Sequence, residues 1–149
     1  MGRLLYLDAS AIISILANED EGGYLLAKIE MSNRPIMYSS LTAYEAVVSQ
    51  ARIYTDDRIG SNKPIPKEFL NDAQDQVERF LTLINARDIS ISGTTHREAL
   101  AANREYGKVV ASPARLNLGD CFVYALAKEY RLPLLFKGDD FTKTDIERA

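Results

Sequence analysis

The chain has 149 residues, 46% of them hydrophobic and 26% charged, with a net charge of −3 and a pI of about 5.2. This length favours one domain over residues 1–149 with a core of its own, and the composition excludes a disordered chain. No apolar run approaches the roughly 20 residues that span a bilayer, and an acidic balance argues against tight non-specific nucleic-acid binding by the bare chain.

Residues 3–7 read as a short buried strand ending at Asp8. Ala11 to Leu16 form a short apolar helix, and Gly22-Gly23 turn into a helix over roughly 24–31. Arg34-Pro35 stops that helix, because the residue before proline disfavours the helical region. Ile36 to Ser39 are the second strand. Thr42 with Glu45 three residues later matches a capping box, opening a helix over 43–54. Residues 56–66, with Gly60, Pro64 and Pro66, read as a loop. Phe69, Leu70, Ala73, Val77, Phe80, Leu81 and Ile84 recur at helical spacing over 67–86, which marks core or dimer surface. Residues 88–91 are the third strand, Thr94 or Thr95 caps a helix over 96–110, and 112–119 form a loop. A helix over 120–130 and a strand at 134–136 complete the chain. Strands alternating with helices predict an α/β fold, a central parallel sheet of four to five strands flanked by helices on both faces.

Four acidic positions stand at the ends of strand-like runs or the starts of helix-like runs: Asp8, Glu45, Asp120 and the Asp139-Asp140 pair. In an open parallel sheet those ends share one edge, where sites form. Carboxylates gathered there repel one another unless a cation neutralises them, and hard oxygen ligands suit Mg²⁺ or Mn²⁺. Each acid has a plainer reading alone. Glu45 completes a capping box, and Asp120 suits the positive end of a helix dipole. The joint placement points to metal-assisted hydrolysis of a phosphate ester. Ser10 is placed to bond Asp8 or a phosphate, and Ser39 and Thr42 likewise near Glu45. Cys121 reads as a buried helix residue and His96 as an exposed bystander. A single cysteine forms no internal disulfide, and the N-terminus lacks a signal-peptide pattern, so the expected location is the cytoplasm.

These residues resemble the PIN-domain ribonucleases, and within them the VapC toxins of toxin–antitoxin pairs. The resemblance rests on Tyr6-Leu7-Asp8-Ala9-Ser10-Ala11, on Ser39 to Glu45, and most specifically on Leu116 to Ala127, continuing through Leu132 to Phe141 and Thr144-Asp145-Ile146. It implies a PIN-like fold and a Mg²⁺- or Mn²⁺-dependent endoribonuclease. Asp8, Glu45 and Asp120 match the family's metal-site acids. Asp140 is the better match for the fourth and Asp139 the runner-up, while Asp145 is a structural acid behind them. The implied partners are an RNA substrate, with transfer RNA a candidate, a cognate antitoxin and a second copy of the chain. Residues 52–75 look longer and more polar than the usual connection in this family. The competing functions are RNA processing, DNA cleavage and a catalytically silent binding module.

Overall fold

The computed structural model describes residues 4–149. Arg3, expected at the start of the first strand, lies outside them. The elements run β1 (Leu5–Leu7), α1 (Ala9–Leu16), α2 (Gly22–Glu30), β2 (Ile36–Tyr38), α3 (Ser40–Arg58), α4 (Lys67–Leu83), β3 (Arg87–Asp88), α5 (Thr95–Tyr106), a 3₁₀ turn (Lys108–Val110), α6 (Leu118–Glu129) and β4 (Leu134–Leu135).

All strand pairs are parallel, in the order β3-β2-β1-β4. The chain steps outward from β1 through β2 to β3, then returns to pair β4 on the other side of β1. The strand order therefore reverses at β1, and a crevice opens beyond the carboxyl ends of β1 and β4.

Alternation along the strands divides the core. Tyr6 and Leu134 enter one buried cluster with Leu116, Leu126, Phe136 and Phe141, on the α5–α6 side. Leu7 and Leu135 enter the other, with Ile12, Leu25, Val77 and Phe80, under α1, α2 and α4. Covering both faces explains why these strands read as continuous apolar runs. Phe136 and Phe141 also meet edge to face, with ring centroids 5.2 Å apart.

Several boundaries differ from the sequence expectation. Ser39, not Thr42, caps α3, its hydroxyl accepting from Thr42 N–H at 3.3 Å. The Tyr6 hydroxyl, 33 residues away, donates to Ser39 at 3.0 Å, and Ser39 lies 3.1 Å from the Thr42 hydroxyl. Helix α3 runs on through Arg58, helped by an Arg52–Asp56 pair one turn apart at 3.0 Å. The loop is thus 59–66, and most of the polar 52–75 stretch belongs to two helices packed on each other. The α4 stripe is core, with Ala73, Val77, Phe80 and Leu81 buried. β3 is shorter and earlier than expected: it pairs only with β2 at the sheet's edge, and Ile91 is exposed beyond it. Gly107 ends α5 before the 3₁₀ turn, and α6 begins at Leu118 rather than Asp120.

Replacing Ser39 by alanine removes a helix cap and the partner of two buried hydroxyls. The expected loss is about 2 kcal/mol, roughly half from the cap and half from the unpaired groups. Urea unfolding measures it, and a loss below about 0.5 kcal/mol would show that the Tyr6–Ser39–Thr42 chain contributes little beyond an ordinary surface contact.

Candidate functional site

The carboxyl ends of β1 and β4 and the starts of α3 and α6 bring the predicted acids together. Asp8 follows β1 directly and caps α1: its Oδ2 accepts from Ser10 N–H at 3.1 Å and from the Ser10 hydroxyl at 2.5 Å. Ser10 in turn accepts from Lys137 N–H at 3.0 Å, which ties the segment after β4 to the segment after β1. The Asp8 backbone N–H donates to Leu135 O at 3.0 Å, so the sheet ladder itself sets the carboxylate's position. Asp8 is 6% exposed, and burial is the main cause of its raised pKa. The Ser10 bonds oppose that rise and the charge of Asp140 adds to it.

Asp120 carries the capping box that the sequence pattern assigns to Glu45. Asn117 is the cap, accepting from Asp120 N–H at 2.8 Å, while Asp120 Oδ2 accepts from Asn117 N–H at 3.1 Å. One oxygen is committed to the helix and the other remains for the site. Burial pushes its pKa up to about 6, the Asn117 bond holds it back, and the charges of Asp8 and Asp140 push it further.

Glu45, one turn into α3, is seated by space. A β-carbon on Gly119 would lie 2.7 Å from Glu45 Oε1 and closer still to Oε2. Only glycine at this point of α6 leaves room for that carboxyl. Burial, then the charges of Asp8 and Asp120, push Glu45 up to about 7. The Thr42-to-Glu45 capping box is absent because Ser39 takes the cap, and Thr42 turns its buried hydroxyl toward Ser39 rather than Glu45. Gly119 is a site residue that pattern reasoning passes over. Its one signal is a glycine directly before an acid inside a helix's first turn.

Asp139 and Asp140 are both exposed, and both line a cavity of about 380 Å³ with Asp120. Of the two, it is Asp140 whose charge acts on Asp8 and Asp120. Asp145 stands apart. It accepts from the Tyr124 hydroxyl and pairs with Lys128 at 2.9 Å, pinning the C-terminal segment to α6. Cys121 is buried, and His96 is exposed at the start of α5. A larger cavity of about 780 Å³ beside α4 is lined by Leu16, Phe80 and Leu83 and holds none of the site acids, so the chemistry points to the smaller one.

Among the described residues no three His, Cys, Asp or Glu side chains close into a ready-made metal cage. The acids at the crevice are oxygen donors raised first by burial and then by neighbouring carboxylates, a donor set that suits a hard cation that keeps several of its waters.

The comparisons agree with this architecture. The PIN domain family model matches residues 5–147. A VapC ribonuclease of Rhizobium meliloti is 36% identical over 141 residues, covering 95% of this chain and 98% of that protein. Ribonuclease VapC42 of Mycobacterium tuberculosis is 34% identical over 145 residues, covering 97% and 98%. The crystal structure of Mycobacterium tuberculosis VapC20, described as a sarcin-ricin loop cleaving toxin, superposes with a TM-score of 0.67 at 12% identity, covering 97% of this chain and 98% of that one.

The raised acids set a pH dependence. Each binds more protons folded than unfolded, so stability falls as pH rises through the gap between ordinary and folded values. For Glu45 the gap runs from 4.5 to about 7, and for Asp120 from 3.8 to about 6. Asp145, whose pKa is lowered, acts only below 3.8 and leaves that window alone. The Tm of metal-free protein should fall between pH 5 and 8. Asp8→Asn keeps an acceptor for Ser10 and should flatten the fall, raising Tm at pH 8 by about 3 °C or more, the shift 1 kcal/mol produces at this size. A lower Tm for the variant at pH 8 would mean that the Asp8 charge stabilises the fold. Through its residues, its relatives and its fold, this chain belongs to the PIN domain family and groups there with the VapC proteins.

Proposed function

We propose that this protein is a metal-dependent endoribonuclease acting as the toxin of a toxin–antitoxin pair. The observation that carries the reading is the convergence of Asp8, Glu45, Asp120 and Asp140 on the crevice where the strand order reverses, with the first three held above their ordinary pKa by burial and then by the charge of neighbouring acids of this set. Charge missing from such a set is supplied by protons or by a cation. The names of the relatives as ribonucleases support an RNA substrate.

In this reading Asp8, Glu45, Asp120 and Asp140 hold Mg²⁺ or Mn²⁺, directly or through water. When bound, the cation polarises the attacking water and the phosphodiester oxygens. Asp8 and Asp120 each fix one oxygen by local hydrogen bonds and present the other. Ser10 and Asn117 are positioning residues: Ser10 orients Asp8, and Asn117 orients Asp120. Asp139 is an outer acid of the cavity that Asp120 and Asp140 line. An antitoxin and a second copy of the chain are the expected protein partners, the antitoxin presenting a basic side chain to the carboxylates. An RNA substrate and the unpaired Cys121 fit the cytoplasm. No described helix is long and apolar enough to cross a membrane.

Purified protein incubated with total cellular RNA should give discrete fragments with Mg²⁺ or Mn²⁺ and none with EDTA. Glu45→Gln should lower the rate at least about 100-fold, the scale of losing a group that acts on the reacting phosphate. Gly119→Ala separates site from fold. Alanine favours the helix by up to about 1 kcal/mol, yet its methyl group displaces the Glu45 carboxyl, so activity should fall while Tm holds or rises. Well-folded protein that leaves RNA whole and cuts DNA would redirect the reading to a DNA nuclease. Cleavage of neither would leave a binding module.

A further inference from the structure

The cavity beside Asp120, Asp139 and Asp140 has a second wall. Lys108, Arg115 and Lys143 line it with them, on a chain whose net charge is −3. All three are exposed, and none forms an ion pair among the described residues, although Lys128 and Lys137 both do. We propose that Lys108, Arg115 and Lys143 form a rim that grips the RNA backbone, seating the phosphates next to the scissile one along the α6 side of the crevice. This inference rests on the ribonuclease reading and names the part of the site that holds the substrate.

Two features argue for a built rim. Lys108 and Arg115 sit on one closed loop: Lys108 N–H donates to Leu116 O and Leu116 N–H to Tyr106 O, both at 2.9 Å, and Ser112 N–H donates to Gly107 O at 3.1 Å. Their spacing is therefore fixed by backbone. Arg115 also has a φ of 53°, a left-handed conformation that glycine adopts at less cost. An arginine held there supplies charge at a position where backbone strain alone favours glycine. Three cations that find no partner among nearby carboxylates are open to an outside anion. Once a cation fills the acid site, the carboxylates attract them still less. A polyanion with evenly spaced charges satisfies such a row, and backbone contacts position a strand without reading its bases.

The test is binding of a labelled single-stranded RNA of mixed sequence, with Mg²⁺, in an Asp8→Asn background that does not cleave. Arg115→Gly, Lys108→Gln and Lys143→Gln should each weaken binding several-fold and reduce the slope of log K against log salt by about 0.7, the share of one phosphate contact. Arg79→Gln, on α4, controls for net charge and should change neither. Arg115→Gly should keep or raise Tm, which a purely structural arginine would not allow. In cleavage by protein with Asp8 intact, the same three variants should raise KM more than they lower kcat. Unchanged affinity and slope, or an equal loss in Arg79→Gln, overturns the inference even where cleavage proceeds. RNA binding through these cations by a protein that cuts no RNA would overturn the ribonuclease reading and keep the rim. Absence of RNA binding overturns the rim, and overturns both where protein with Asp8 intact also cuts no RNA.

Discussion

Repulsion among carboxylates is the constraint around which this molecule is arranged. Asp8, Glu45, Asp120 and Asp140 come from four separate stretches of chain, and no two would remain together in water. Burial is the main cause that raises the first three, because each loses hydration before it gains a counter-charge, and the charge of neighbouring acids adds to it. Such a cluster persists only where the rest of the structure over-determines it. Here the two apolar clusters on either side of the sheet supply that surplus, and the strand reversal at β1 fixes where it is spent.

The over-determination is specific. The ladder from Leu135 O to Asp8 N–H sets the height of the first acid. Ser10 then joins the two strand ends, donating to Asp8 and accepting from Lys137 N–H. On the other side the buried Tyr6 hydroxyl reaches from the middle of β1 to the cap of α3, so the strand that positions Asp8 also positions the helix that carries Glu45. Small displacements of β1 would therefore move two acids at once. The sheet is only two or three residues deep along each strand, and polar bonds at its edge do much of what longer ladders do elsewhere.

The parallel sheet was legible because strands buried on both faces leave continuous apolar runs, as in Leu4 to Leu7 and Leu134 to Phe136. The acids were legible for a related reason: a charge that ends such a run has to lie at the sheet's edge. What misled was local pattern without tertiary context. Thr42 and Glu45 match a capping box, but Ser39 also caps, and a tyrosine 33 residues away decides between them. Asp56 to Arg58 look like loop because their helix face is solvated. The third strand, read at 88–91, starts one residue earlier and stops at Asp88, because β3 lies exposed on the edge and carries no apolar residue to mark it. The role of Gly119 depends on how closely α3 approaches α6, which no spacing rule contains.

Capping and catalysis are usually weighed as rival explanations for an acid at a helix start. In this site they are the same explanation. Asp8 and Asp120 each spend one oxygen on a cap, to Ser10 and to Asn117, and that bond fixes the direction of the other. The cap lowers the cost of holding the charge, since a hydrogen bond to the ionised form opposes the rise from burial. Glu45 has no hydrogen bond among the causes of its shift, and it stands nearer neutrality than Asp120. It occupies a slot kept open by the missing side chain of Gly119. Two acids are thus preorganised by bonds and one by shape. The shape-held acid has the most freedom to adjust when positive charge arrives, and a rigid pair with one adjustable member accommodates a hydrated cation without asking the sheet to move.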